Sequence, residues 1–273
     1  MPRRIPLSKV TEDFFEYWRM RYVWPLDRSR EQSENEINEL SNQAETAIRS
    51  ADERLLENLL VKIHRWKTRN RSGITDDYQI ALANSPGLVR NLKRTLLRQP
   101  SLNSDIANDL IGILRVENSN LPVCTAQVSF LSGRRFPILD RFVGQFFAQV
   151  VSRRILELPM FDMREVFRDI RPIPFIIEDD GSGKCKPRLA VYHNSNYERN
   201  RELFIHQLIP ELDGIAKALN NERVGFRSVN GEPMPFSSVD VEMAVFAFGT
   251  QNKEFFQCFY GESRPSILRV DTQ

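Results

Sequence analysis

Cysteine is scarce in this chain, and its three copies stand far apart. Cys124, Cys185 and Cys258 offer no zinc-ligand spacing and are too few for a four-cysteine iron–sulfur loop. The scarcity fits a reducing, cytoplasmic setting, because oxidising compartments favour paired cysteines. Histidine numbers only three, and His193 and His206 lack metal-ligand spacing to carboxylates. No metal and no cofactor is therefore expected. Long apolar runs are missing, so no membrane span and no membrane partner are expected. Met1-Pro2-Arg3-Arg4-Ile5-Pro6-Leu7 is not followed by the apolar core of a secretory signal. A strong charge of one sign is absent as well: 38 Lys+Arg against 36 Asp+Glu leave a net charge of +2. Overall charge thus gives no argument for nucleic acid, and any such argument must rest on local patches. No internal repeat and no low-complexity linker divides the chain.

What is present is helix. With 273 residues and 41% apolar content, the chain can bury a full core in one large domain or two small ones. Ser8 can cap a segment with Val10, Phe14, Tyr17, Trp18 and Tyr22 along one side, ended by Pro25. Residues 29–50 are polar, and Ile37, Leu40, Ala44 and Ile48 form a thin stripe on a solvated helix. Leu56, Leu59, Leu60, Ile63 and Trp66 follow at better helical spacing. Leu88, Leu92 and Leu96 mark another helix before Pro100. Asn103 or Ser104 can cap the next, with Ile106, Leu110 and Leu114 inward.

The stretch from Pro159 to Pro187 differs. It reads as a long connection with a short hairpin, pairing Phe175-Ile176-Ile177 with Leu189-Ala190-Val191-Tyr192. Asp179-Asp180-Gly181-Ser182-Gly183 lacks the later glutamate of a calcium loop and the lysine of a phosphate loop, so it reads as a turn. Ser195-Asn196-Tyr197-Glu198 is a capping box that opens a helix through Leu219, and Pro210 predicts a kink in it. Residues 220–235 read as a loop. Val239, Val241, Ala244, Val245 and Phe248 then form a helix ended by Gly249.

The densest information lies at 121–151. Leu121-Pro122-Val123-Cys124-Thr125-Ala126 opens an apolar helix that Gly133-Arg134-Arg135 breaks. Pro137 fixes φ near the start of a new segment, and Leu139, Phe142, Val143, Phe146 and Phe147 recur at helical spacing. Asp140 falls in the first turn, where free N–H groups and the helix dipole favour a carboxylate. Arg134, Arg135 and Arg141 surround it.

These residues resemble the core of the helix-hairpin-helix DNA glycosylase superfamily. Members carry Leu-Pro-Gly-x-Gly, then Thr-Ala and an apolar run, then an aromatic-Pro-Val-Asp segment with a catalytic aspartate. Leu121-Pro122, Thr125-Ala126, Phe136-Pro137 and Asp140 stand in that order. Ser238 to Gly249 is similar to an acidic-x-Ala-Leu-aromatic helix near the end of several relatives. Departures are plain. Val123-Cys124 replaces the glycine-rich turn. The lysine used as amine nucleophile by bifunctional members has no counterpart, with Cys124 nearest. Ile138-Leu139 inserts one extra residue before Asp140.

The resemblance implies an all-α, two-lobed helical fold with a β-hairpin insertion around 170–195. One lobe comprises residues 1–100 and 195–273, the other residues 101–170. It implies a monomer that binds double-stranded DNA, nucleoid-associated within the cytoplasm. Without the lysine, the expected chemistry is monofunctional N-glycosylase action with water, Asp140 stabilising an oxocarbenium-like transition state. Arg134, Arg135 and Arg141 would contact the phosphate backbone, with Leu121, Pro122, Val123 and Cys124 at the hairpin. Each residue also has a plainer role. Asp140 can simply cap its helix, Cys124 can be a small buried hydrophobe, and the hairpin an ordinary turn. His64, Arg65, Lys67, Arg69 and Arg71 form a second basic group around Trp66, which reads either as a stacking platform or as a core residue. Arg153 and Arg154 extend the group near Asp140. A catalytically inactive relative that binds DNA or protein is the alternative.

Overall fold

The computed structural model describes residues 6–24, 27–69, 72–85, 87–98, 103–117, 119–149, 158, 160–179, 187–189 and 194–252. They are mostly helical, with two small antiparallel hairpins, so the all-α expectation holds. Among them no helix is long and apolar enough to cross a membrane. The chain divides into two compact units: residues 1–22 with 140–273, and residues 23–139. The expected lobes differ from these units. Only the first helix joins the C-terminal part, because the helices between residues 30 and 98 belong with the helix at 121–131.

Unit 2, residues 23–139, is built around one helix that is apolar on every side. Its elements are α2 (Arg30–Arg49), α3 (Glu53–Thr68), α4 (Ser72–Ala83), α5 (Leu88–Arg98), α6 (Ser104–Leu114) and α7 (Leu121–Leu131). Ser29 and Gln32 close a capping box on α2, and Asp52 caps α3. Asn103 rather than Ser104 caps α6, accepting from Ile106 N–H at 3.1 Å. α2, α3 and α6 all pack on α7. Every α7 residue except Pro122 is buried, Gln127 and Ser129 included. A helix enclosed in this way has no solvent face to pattern. Its polar atoms must find partners inside. Gln127 Nε2 donates to the Leu60 carbonyl (3.2 Å) and to Tyr78 Oη (2.7 Å). Tyr78 stacks on His64 with ring centroids 4.2 Å apart. Burial pushes the Tyr78 hydroxyl well above its ordinary pKa, so it stays neutral.

Unit 1 joins the two ends of the described chain. It holds α1 (Lys9–Arg19), α8 (Arg141–Phe147), α9 (Met163–Asp169), α10 (Asn194–Leu203), α11 (Ile209–Asn221) and α12 (Ser238–Gln251). α1 packs along α12. Phe14 of α1 is fully buried in an aromatic cluster, with ring centroids 5.7 Å from Phe146 and 5.2 Å from Phe248. Such ring pairs add about 0.5–1.5 kcal/mol beyond burial. Arg19 donates from Nε to Asp240 Oδ1 at 2.8 Å and lies 4.3 Å from the Phe226 ring centroid. Asp169 Oδ2 accepts from Ser8 N–H (2.8 Å) and Thr11 Oγ1 (2.7 Å), fastening the start of α1 to α9.

Several expectations are corrected in unit 1. α1 ends at Arg19, before Tyr22. α10 begins at Asn194, so Ser195 lies inside the helix rather than at its cap. The break at Pro210 is a π-helical turn, Phe204–Leu208, in which Ile209 N–H reaches the Phe204 carbonyl. Proline has no N–H and crowds the carbonyl four residues back, and the wider turn accommodates it. The expected hairpin is present as β1 (Ile177–Asp179) paired with β2 (Pro187–Leu189); β1 lies two residues later than expected, and of the expected second strand only Leu189 falls among the described residues. The expected loop at 220–235 contains β3 (Gly225–Arg227) paired with β4 (Pro233–Pro235). Each hairpin base is held by one asparagine amide. Asn200 pairs with both backbone groups of Ile176, and Asn220 with Phe236 N–H and C=O at 2.8 Å each.

Gly249 does not end α12, which runs on to Gln251. A Cβ at Gly249 would overlap Phe142 Cβ and come within 2.8 Å of its Cγ. The glycine is needed for the close approach of α8 to α12, and so for the seating of the residue two positions after Asp140.

Candidate functional site

Thr125 organises the motif. Its hydroxyl donates to the Pro122 carbonyl (3.2 Å) and accepts the Leu139 N–H (3.1 Å), and both Thr125 and Leu139 are fully buried. One hydroxyl thereby ties the first turn of α7 to the residue before Asp140. The turn between them is a Schellman motif: Arg134 N–H reaches the Ser129 carbonyl and Gly133 N–H the Phe130 carbonyl. Gly133 takes the left-handed conformation this requires, at φ +65°, and Arg134 after it is also left-handed, at φ +64°. Phe136, Ile138 and Leu139 then bury their side chains.

Asp140 begins the run of unit 1 that α8 opens. It is the N-cap, with its Oδ1 accepting Phe142 N–H at 2.9 Å, and its side chain is half-buried. Arg141 is exposed beside it, its guanidinium 4.4 Å from the Phe142 ring centroid. In unit 2, Arg135 is exposed, whereas Arg134 folds back on its own helix, 3.3 Å from Ser129 Oγ and 5.4 Å from the Phe130 centroid.

The hairpin residues are largely interior. Leu121 and Cys124 are fully buried, Val123 is 2% exposed, and Pro122 is half-buried. Contact with DNA through the first three side chains is closed off in this packing. The backbone donors are also engaged: Val123 N–H meets Asn120 Oδ1, and Cys124 N–H meets the Asn120 carbonyl. Cys124 Sγ lies 2.9 Å from Ser119 Oγ and 3.6 Å from the Leu114 carbonyl, the arrangement of a buried thiol donor. That matches the small-hydrophobe reading of this residue and not a nucleophile.

The second basic group does not form one patch. His64 is fully buried, and Trp66 is 7% exposed with its ring edge-on to Phe130 at 5.1 Å. The stacking-platform reading of Trp66 is therefore overturned: the indole is a core residue. Arg65 and Arg69 stay at the surface, and Arg69 lies 4.3 Å from the Trp24 ring centroid. Arg71, Arg153, Arg154, His193 and the glycine-bearing turn at 180–183 lie outside the described residues. His206 pairs with Glu202 at 3.1 Å across one helical turn. Among the described residues no cluster of three potential metal ligands occurs.

Comparison with family models, with curated proteins and with solved structures finds no match to this chain. The residue that sequence reasoning undervalued is Thr125. It entered only as half of a Thr-Ala pair, and its signal was the one hydroxyl in the apolar stretch 121–126.

Proposed function

We propose that the chain binds double-stranded DNA and removes a damaged or mispaired base, with Asp140 as the catalytic carboxylate. The observation that carries this reading is the Thr125 tie. It fastens the Leu-Pro helix start to the backbone immediately before a half-buried aspartate, linking three elements of the family motif through one side chain. A carboxylate held by its own helix N-terminus is pre-oriented. Beside a flipped nucleotide it would stabilise positive charge developing at the sugar. The sugar–base bond breaks, and the base leaves with the bonding pair and takes a proton from solvent. Water adds to the anomeric carbon and gives its proton to Asp140. Exposed Arg141, beside Asp140, supplies a phosphate contact.

Asp140→Asn is a clean test, because asparagine caps a helix as well as aspartate does. Duplexes carrying uracil, 8-oxoguanine or alkylated purines are incubated with the protein and then treated with alkali. Wild type is expected to yield cleavage on at least one substrate, and the variant about 10²–10⁴-fold less. Inactivity across the panel, or an unaffected variant, would overturn the reading.

The second reading is a scaffold that binds DNA without chemistry. It is motivated by the altered hairpin, with Val123-Cys124 in place of the glycine-rich turn, and by the absence of the amine nucleophile. Salt-dependent binding of undamaged duplex, equal in wild type and Asp140→Asn and with no excision, is its signature.

A further inference from the structure

In unit 2, α2, α3 and α4 enclose a trough of about 860 Å³, continued by a hollow of about 710 Å³. Glu39, Gln43, Lys62 and Arg65 line both. We infer that this trough binds a single strand of nucleic acid, with α3 cations on phosphates and side-chain amides on base edges. The inference is independent of base excision at Asp140.

The walls carry an unusual set of groups. Asn35, Asn38 and Asn42 recur at i, i+3 and i+7 along one side of α2, facing Asn58 of α3 and Gln79 of α4. None of these five side-chain amides has a hydrogen-bond partner among the described residues. Each presents a donor and an acceptor in one plane, the fork that pairs with an adenine edge. The apolar surface of the trough comes from Leu55, 44% exposed, since Ala47 and Leu59 line it at 3% and 2% exposure. Apolar atoms flanked by amides suit a flat base presented with its edge outward. Duplex pairing leaves only the groove edges open, whereas an unpaired base also offers its Watson–Crick edge, so a concave site lined by amides suits unpaired bases.

The cations stand along one rim. Lys62 and Arg65 lie on one stripe of α3 and Arg69 is its C-cap residue, roughly 10 Å farther along than Lys62 at about 1.5 Å per residue. The Arg65 side chain makes no hydrogen bond or ion pair among the described residues. In the wider hollow the single carboxylate, Glu39, is engaged: Lys62 Nζ donates to Gln43 Oε1 at 3.1 Å, and Gln43 Nε2 to Glu39 Oε1 at 2.7 Å. Asp27 and Glu36 line the narrower hollow and offset its cations. Binding therefore rests on base contacts with few phosphate contacts, which separates this trough from a plain polyanion surface.

Fluorescence anisotropy of the full chain with labelled dA12 and dT12 tests this. dA12 is expected to bind more tightly than dT12, and log affinity is expected to fall with log salt by about 0.7 per phosphate contact, giving a slope near two. Lys62→Glu/Arg65→Glu, both exposed, should weaken dA12 binding at least tenfold with an unchanged melting temperature. Asn42→Ala/Asn58→Ala should erase the preference for dA12 while leaving dT12 affinity within about twofold. Absence of binding at 50 mM salt overturns the inference, as does binding indifferent to the charge reversal. Displacement of dA12 by a glutamate-rich peptide at equal concentration would mark a generic acidic-ligand surface and also overturn it. Should excision fail while these results hold, the Asp140 reading falls and the trough stands.

Discussion

The two units solve the same problem, the inside of a small helical body, with different chemistry. Unit 1 is packed with rings: Phe14, Phe146 and Phe248 pack ring to ring, and beside the neutral amide bonds of Asn200 and Asn220 it carries charge-assisted contacts at Arg19–Asp240 and at Asp169. Unit 2 is largely aliphatic and carries a neutral polar interior made by His64, Thr75, Tyr78 and Gln127. In that interior Gln127 Oε1 has no hydrogen-bond partner. Charged pairs and rings demand orientation, and they fasten α1 to α9 and α12. Neutral polar groups suit a helix such as α7 that is enclosed on all sides and whose few polar atoms have only one another to turn to.

Four substitutions would break or sharpen that contrast. Phe14→Ala removes a fully buried ring and should cost about 3–5 kcal/mol. Hydrogen exchange should then report lost protection in α1, α8 and α12; equal loss in α3 and α7 would show that the two cores unfold together and the contrast has no energetic meaning. Gly249→Ala forces a Cβ against Phe142 and should cost about 1–3 kcal/mol by overpacking. Thermal melting checks it, and Phe142→Ala on the same background should restore part of the loss. Gln127→Ala strands the Tyr78 hydroxyl and the Leu60 carbonyl and should cost about 1–3 kcal/mol. Its denaturant midpoint is read beside that of Gln127→Leu, which refills the space without a donor; equal stability of all three proteins would remove the case for a polar core.

The smallest effect concerns pH. Burial alone would raise the Asp169 carboxyl; the bonds from Ser8 and Thr11, with Arg168 nearby, outweigh it and hold it below the usual carboxylate range. A depressed folded pKa contributes stability above the unfolded value near 4, and that stability is lost as pH falls through the folded value. Melting temperature should therefore drop on acidification below about pH 4, and Asp169→Asn should flatten that drop. An unchanged slope in the variant would show that the carboxylate adds nothing to the docking of α1.

Much of this was legible in the sequence, for physical reasons. α1 and α6 announce themselves through caps and apolar spacing and α3 through spacing, and Ser8 and Asn103 both cap as their residue types suggest. Asp140 was visible as a first-turn carboxylate for the same reason, since capping depends on local spacing alone. Tertiary roles were hidden. Gly249 carries the mark of a helix stop, yet its task is to admit Phe142, a contact far away in sequence. β4 reads Pro-Met-Pro, which argues against a strand, but a two-stranded ribbon has free edges where proline is tolerated. The trough beside α2 escaped notice because Asn35, Asn38 and Asn42 resemble any solvated face until α3 is set opposite them.

The split of unit 1 between the two ends of the chain has a bearing on biosynthesis. α1 leaves the ribosome early, but its packing surface on α12 arrives more than two hundred residues later. At about 5–20 residues per second that interval lasts roughly 10–50 s. Throughout it the amphipathic first helix, with Phe14, Phe15 and Trp18 uncovered, is a natural client for a holding chaperone, while residues 23–139 can already condense around α7.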